Sequence, residues 1–154
     1  MARVNGDDGL IADDVGFWAE EKHRYLTRYI SISKAARQKF LCGFQRAGVS
    51  SPGGATFVDL FCGTGRSRIR ENGKWSDGSA VAAWKQSVTD GSPFSHVFIA
   101  DRDEEAVKAC EARLKAAGAS VTAYVGEASD AVQQLGSTST PYGLNLVFLD
   151  PYNL

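Results

Sequence analysis

Apolar residues recur along this chain with two periods. From Asp14 to about Ala47 the spacing is helical: Trp18, Tyr25, Tyr29, Ile32, Ala36 and Phe40 share one face, widened by Leu26 and Ile30. Asp14 is placed to cap that helix, and its aromatic stripe is expected to pack onto a sheet. Gly48 and the run Ser50-Ser51-Pro52-Gly53-Gly54 end it. Beyond, short apolar runs alternate with helical stretches. Strands are predicted over 56–61, 96–100, 121–125 and 144–149. Helices are predicted from the Asp77-Gly78-Ser79 cap to about Val88, from Asp103 to Ala117 with Gly118 as C-cap, and over 129–135. Strand and helix in strict alternation predict an α/β, Rossmann-like parallel sheet with right-handed crossovers. Residues 1–13 are polar, rich in Gly and Asp and aperiodic. They are expected to form a flexible N-terminus ahead of a domain over 14–154.

Composition narrows the class. The 154 residues are 44% hydrophobic, too apolar for a disordered chain. Lys and Arg number 17 against 18 Asp and Glu, which excludes a module that binds nucleic acid by bulk charge. The cleanest late apolar run, Leu146–Leu149, is far below the roughly 20 residues of a membrane span, and no basic-then-apolar leader opens the chain. The three cysteines, Cys42, Cys62 and Cys110, are scattered, and the only histidines are His23 and His96. That spacing supports neither a disulfide framework nor a metal site, and reduced thiols in a cytoplasmic protein are expected. Cys62 sits inside a glycine loop, where a small packed side chain is a better reading than a nucleophile.

The sharpest motif is Phe57-Val58-Asp59-Leu60-Phe61-Cys62-Gly63-Thr64-Gly65. It is a strand running into glycines at i and i+2, where ligands of doubly wound sheets bind. No third glycine completes a dinucleotide fingerprint, and no Gly-Lys-Ser/Thr follows to make a P-loop. The second strand ends at Asp101, which either accepts hydrogen bonds from a ribose or merely closes the strand beside Arg102. The third ends Gly126-Glu127-Ala128, an acid suited to an adenine edge or a plain loop acid. Together these features point to an adenosine-bearing ligand. About a dozen residues separate Gly65 from the next helix, a delay that serves a pyrophosphate poorly and favours S-adenosylmethionine over NAD.

These residues resemble the class I methyltransferases that use S-adenosylmethionine and, more narrowly, the three-Cys-motif partner (TcmP) family. The narrower resemblance rests on Phe17-Trp18, Lys22 and Tyr25-Leu26 in the first helix, then on Val58–Arg66, where the family shows D-L-F-A-G-x-G. It continues through Asp77-Gly78-Ser79 and Phe148-Leu149-Asp150-Pro151-Tyr152. The family's name refers to a neighbouring three-cysteine protein, a partner the resemblance implies here as well. The resemblance implies a methyltransferase-like fold in which Asp59, Phe61, Gly63 and Gly65 form the methionine-side loop. Asp101 with Arg102 would hold the ribose, and Glu127 and Ala128 would border the adenine. Cys62 replaces the family's alanine, and Asn153 stands where glycine is frequent.

Asp150, Pro151 and Tyr152 are the catalytic candidates. In methyltransferases with Asp-Pro-Pro-Tyr such an acid positions a target amine and the ring stacks on a base; here one proline is missing. The alternative is an acid that only borders the pocket. The insertion is predicted to be a hairpin, Arg68–Arg70 and Lys74–Ser76 about Glu71-Asn72-Gly73. Its basic residues, Arg66, Arg68, Arg70 and Lys74, either engage a phosphate-bearing substrate such as nucleic acid or are simply solvated. The expected function is methyl transfer to a nucleic acid or a partner protein. Competing with it are a non-catalytic cofactor- or partner-binding module and, less well supported, an NAD oxidoreductase. The resemblance implies seven strands in the order 3-2-1-4-5-7-6, so four strands predict an N-terminal part of an incomplete, longer domain.

Overall fold

The computed structural model describes residues 2–138 and 142–151, and Tyr152 lies outside the described residues. The N-terminus is a built element, not a frayed one. β1 (Ala2–Asn5) pairs antiparallel with β2 (Ile11–Val15) around Gly6-Asp7-Asp8-Gly9. Asp14 therefore lies in a strand and caps nothing. The long first helix is instead two helices and a hairpin: α1 (Trp18–Ile32), α2 (Lys34–Leu41), β3 (Phe44–Arg46) and β4 (Val49–Ser51). Ser33 serves as C-cap of α1 and N-cap of α2, which breaks the helical phase. The predicted aromatic stripe fails for a related reason. Ala19, Leu26 and Ile30 are the buried positions of α1, one residue round the helix from Trp18, Tyr25 and Tyr29, which lie half exposed or more.

The alternating part follows expectation closely. β5 (Ala55–Asp59) leads into the insertion, a true hairpin of β6 (Arg66–Ile69) and β7 (Trp75–Asp77), then α3 (Ser79–Thr89) and β8 (His96–Asp101). After these come α4 (Glu104–Ala116), β9 (Val121–Val125), α5 (Ala128–Thr138) and β10 (Leu144–Phe148). The Asp103 side chain accepts from the Glu105 and Ala106 amides, capping α4 as its position predicts. Four strands form a parallel sheet in the order β10-β5-β8-β9. Central β5 is buried along its whole length and alternates sides. Phe57 joins Val97, Ile99, Leu26, Val81 and Leu114 on the face of α1, α3 and α4, and Val58 joins Phe98 and Ala131 on the face of α5. β10, at the edge of the sheet and against α2, turns Leu144, Leu146 and Phe148 to the core but leaves Val147 about half exposed.

A second sheet, β1-β2-β6-β7, joins the predicted β6–β7 hairpin to two strands from the stretch expected to be a flexible N-terminus. Ion pairs hold it together. Arg66 bonds Asp7 and Asp77, and Arg68 and Arg70 both reach Asp14. Arg66, Arg68 and Arg70 of the predicted basic cluster are thus paired with carboxylates, while Arg68 and Arg70 keep 40% and 61% of their side-chain surface exposed. Among the described residues, no helix is long and apolar enough to cross a membrane.

One buried cation fixes the helical pair. Arg37 has no exposed side-chain surface; it donates to the carbonyls of Ser92 and Ile30, to Ser33 Oγ and to Asp90 at 3.0 Å, and lies over the Phe94 ring. Removing one partner strands the others in a dry site. Arg37→Ala should therefore lower stability by roughly 3–5 kcal/mol, read as a drop in the urea midpoint at unchanged m. Exposed Lys39→Ala is the control, within about 0.5 kcal/mol of the parent; an equally small loss for Arg37→Ala would contradict the assignment.

Candidate functional site

Because β5, β8, β9 and β10 run parallel, their carboxyl ends open on one rim. A cleft of about 630 Å³ lies there, within the usual range for a small-molecule site. Phe61, Gly63 and Gly65 border it from the β5 loop, and Asp101 and Arg102 from the end of β8. Glu127 and Ala128 border it after β9, and Asp150 and Pro151 after β10. Asp59, wholly buried, lies beneath the loop instead of on the wall. The fold thus gathers the residues singled out in the sequence, Tyr152 excepted. Arg3 and Asp13 of the N-terminal hairpin and Trp18, Lys22 and His23 of α1 close the opposite side. Two short strand patterns flanking Gly6-Asp7-Asp8-Gly9 are a hairpin signal that marks the first of these walls.

The glycine loop is held by acids from two directions. Gly63 N–H donates to Asp101 Oδ2 at 3.0 Å, and Asp103 N–H to the other oxygen at 3.1 Å. Across the loop, Thr64 donates its amide and hydroxyl to Asp13 Oδ2 at 3.1 and 3.0 Å. Gly63 has φ +56°, and a Cβ there would sit 2.8 Å from that same oxygen, so a side chain is excluded by both backbone and space. Glu127 pairs with Arg102 at 2.6 Å on the outer lip.

The insertion does not move the helix start away, as its length in sequence suggests. Gly78 N–H donates to Gly65 O at 2.8 Å, and a Cβ on Gly78 would lie 2.8 Å from the Gly65 backbone. The β6–β7 hairpin leaves the loop and returns to it, so α3 begins against the cleft. What stands at that helix start is a carboxylate: Ser79 Oγ donates to Asp59. An anion is already provided there, and a pyrophosphate would face its charge.

Burial pushes the Asp59 carboxyl up to about 6, helped by the charges of Asp150 and Asp101 and opposed by hydrogen bonds from Ser79 and the Phe61 amide. Two α1 side chains answer the acids. Lys22 forms an ion pair with Asp150 and lies 4.6 Å from the Trp18 ring centroid. His23 is driven down to about 4, by burial first and by Lys22 second, so its imidazole is neutral near pH 7. Its Nδ1 is buried with no hydrogen-bond partner among the described residues. Cys62 is buried, and the neighbouring Cys110, distant in sequence, helps hold its thiol well above the usual range. That makes it a packed side chain, not a nucleophile. Among the described residues no cluster of three His, Cys, Asp or Glu is arranged to hold a metal ion.

Asp59 binds a proton more tightly folded than unfolded, so its ionised form weakens the fold above about pH 6, and this penalty vanishes below about pH 4. Asp59→Asn should therefore raise the melting temperature at pH 7.5, by up to roughly 3 kcal/mol of stability, and bring no advantage at pH 3.5. Melts across that range, with equal gains at both ends, would contradict the assignment.

A scan of protein-family models and searches of curated proteins and of solved structures returned no match to this chain, so its functional reading rests on the fold and the cleft.

Proposed function

We propose that the cleft binds S-adenosylmethionine and that the protein is a methyltransferase of class I type. The observation that carries this reading is the charge of the rim. Asp13, Asp101, Glu127 and Asp150 line the cleft against Arg3, Lys22 and Arg102, and Asp59 lies below it, so carboxylates outnumber cations by five to three. The ligand carries an ammonium, a sulfonium and one carboxylate, a net positive charge that this wall attracts; a dinucleotide carries the opposite sign. The strand order supports the same reading, with the glycine strand between the ribose-acid strand and the strand that ends at Asp150.

The chain's residues divide the task as follows. Gly63 and Gly65 let a ligand lie against the backbone, and Arg3, paired with Asp13 and Asp103, is the cation that the hairpin brings to the cleft. Asp101, its two oxygens steadied by the Gly63 and Asp103 amides, keeps lone pairs for two ribose hydroxyls. Glu127 and the backbone before Ala128 stand where an adenine edge would lie. When bound, the cofactor supplies an activated methyl group. Asp150 would orient the acceptor and take part of its developing positive charge, once Lys22 yields the carboxylate.

That last condition favours a second reading, a cofactor-binding module without transfer, in which the Lys22–Asp150 pair persists. Both readings predict binding. S-adenosylmethionine or its demethylated product should raise the melting temperature by roughly 5–10 °C at a hundredfold excess over Kd, and NAD should not. Asp101→Ala should abolish the shift. No shift with about 1 mM ligand, or an equal shift with NAD, would overturn both. Binding retained in Lys22→Ala, Asp150→Ala and the parent, with no methyl transfer by any of them, would select the second.

A further inference from the structure

The charge of this chain is unevenly placed. Between Lys22 and Val58 there are seven Lys or Arg residues and no Asp or Glu. Since the whole chain nets −1, the remainder nets −8. Within that acid-free stretch Arg37 is consumed by Asp90 and Lys22 by Asp150. Arg24, Arg28, Lys34, Lys39 and Arg46 are all exposed. Arg24 has only a 3.7 Å contact with Glu21, the exposed acid of this helix.

Aromatic rings stand among these cations. Trp18, Tyr25 and Tyr29 are 52%, 56% and 59% exposed, and Ile32 of the same face is 79% exposed. At 100° per residue these four positions fall within about 60° of one another on α1. Arg24 lies over the Tyr25 ring at 5.5 Å, extending its flat surface. The core of α1 is satisfied on another face, by Ala19, Leu26 and Ile30, so packing within the chain does not require these rings. From Lys22 to Val58 the sequence carries no carboxylate, and Glu21, which accepts from the Tyr25 hydroxyl at 3.5 Å, is the exposed acid beside the rings; exposed rings and cations so placed complement a chain of phosphates that carries unpaired bases.

We propose that this face of α1, continued by Lys34 and Lys39 of α2, binds single-stranded nucleic acid. The cations neutralise backbone phosphates, and Tyr25 and Tyr29 stack on bases. Trp18 belongs both to the stripe and to the cleft wall, so a strand on the stripe is led to the cleft mouth. The surface does not depend on methyl transfer or on cofactor, and the measurement uses neither.

The test is fluorescence anisotropy of the full chain with fluorescein-labelled 20-nucleotide oligothymidine and oligouridine, and a 20-base-pair duplex as competitor. Binding to either single strand should weaken by roughly 50-fold between 50 and 200 mM salt if four phosphates are neutralised. Tyr25→Ala/Tyr29→Ala and Arg24→Glu/Arg28→Glu should each weaken it at least tenfold while melting with the parent, because all four side chains are exposed. No binding to either strand at 50 mM salt, tighter binding to the duplex, or full binding by both double variants would overturn the proposal. So would a parent that sediments as a dimer which Tyr25→Ala/Tyr29→Ala returns to monomer, since the stripe would then be a self-association surface.

Discussion

Arg113 is the residue on which the two sheets depend. It is almost wholly buried on α4, yet its guanidinium bonds both oxygens of Asp8 at 2.7 Å, the Ile11 carbonyl at 2.8 Å and the Thr64 carbonyl at 2.7 Å. One side chain therefore ties a helix of the parallel sheet to the N-terminal hairpin and to the glycine loop. The bidentate pairing holds Asp8 down at about 2. A hairpin over residues 2–15 whose buried apolar side chains are only Ala12 and Val15 has little core of its own. It becomes a wall of the cleft because its acids find fixed cations, Asp8 on Arg113 and Asp7 on Arg66.

That wall changes what the loop can do. In a bare α/β sheet the glycine loop faces solvent on one side. Here Asp13 reaches over it to Thr64 and leaves no room for a side chain at Gly63, so the loop is gripped between Asp13 and Asp101. A loop held at both ends does not need ligand to order it, which lowers the entropic cost of binding. The same acids face the cleft, so on the proposed reading rigidity and charge selection would come from the same carboxylates.

The alternating half of the chain was legible because its period is undiluted. Phe57, Val97 and Ile99 face one way, Val58 and Phe98 the other, and the loops between carry their own caps, such as Asp103. The strand ends then placed Asp101, Glu127 and Asp150 on one rim without further information. The N-terminal third was not legible in the same way. There, stability comes from charge pairs between residues 54 and 105 positions apart, Asp14 with Arg68 and Asp8 with Arg113, and no periodicity records a partner. On α1 the pattern itself misled. Trp18, Tyr25 and Tyr29 were read with Leu26 and Ile30 as one broad stripe, yet only the edge that holds Ala19, Leu26 and Ile30 is buried. The sequence delay before α3 likewise measured chain length and not distance, since Gly78 returns to touch Gly65.

The two halves meet at α1. Its inward side supplies Lys22 and His23 to an acidic cleft, and its outward side carries rings and cations. Lys22 lies over the Trp18 ring while bonded to Asp150, so the lysine that guards the carboxylate rests on a residue of the exposed stripe. A cation held against a ring is held less firmly once that ring stacks on something else. A base on Trp18 would compete for the same face and weaken the hold on Lys22. On the proposed readings, the ion pair would then open when an acceptor strand reaches the cleft mouth and would keep Asp150 neutralised otherwise.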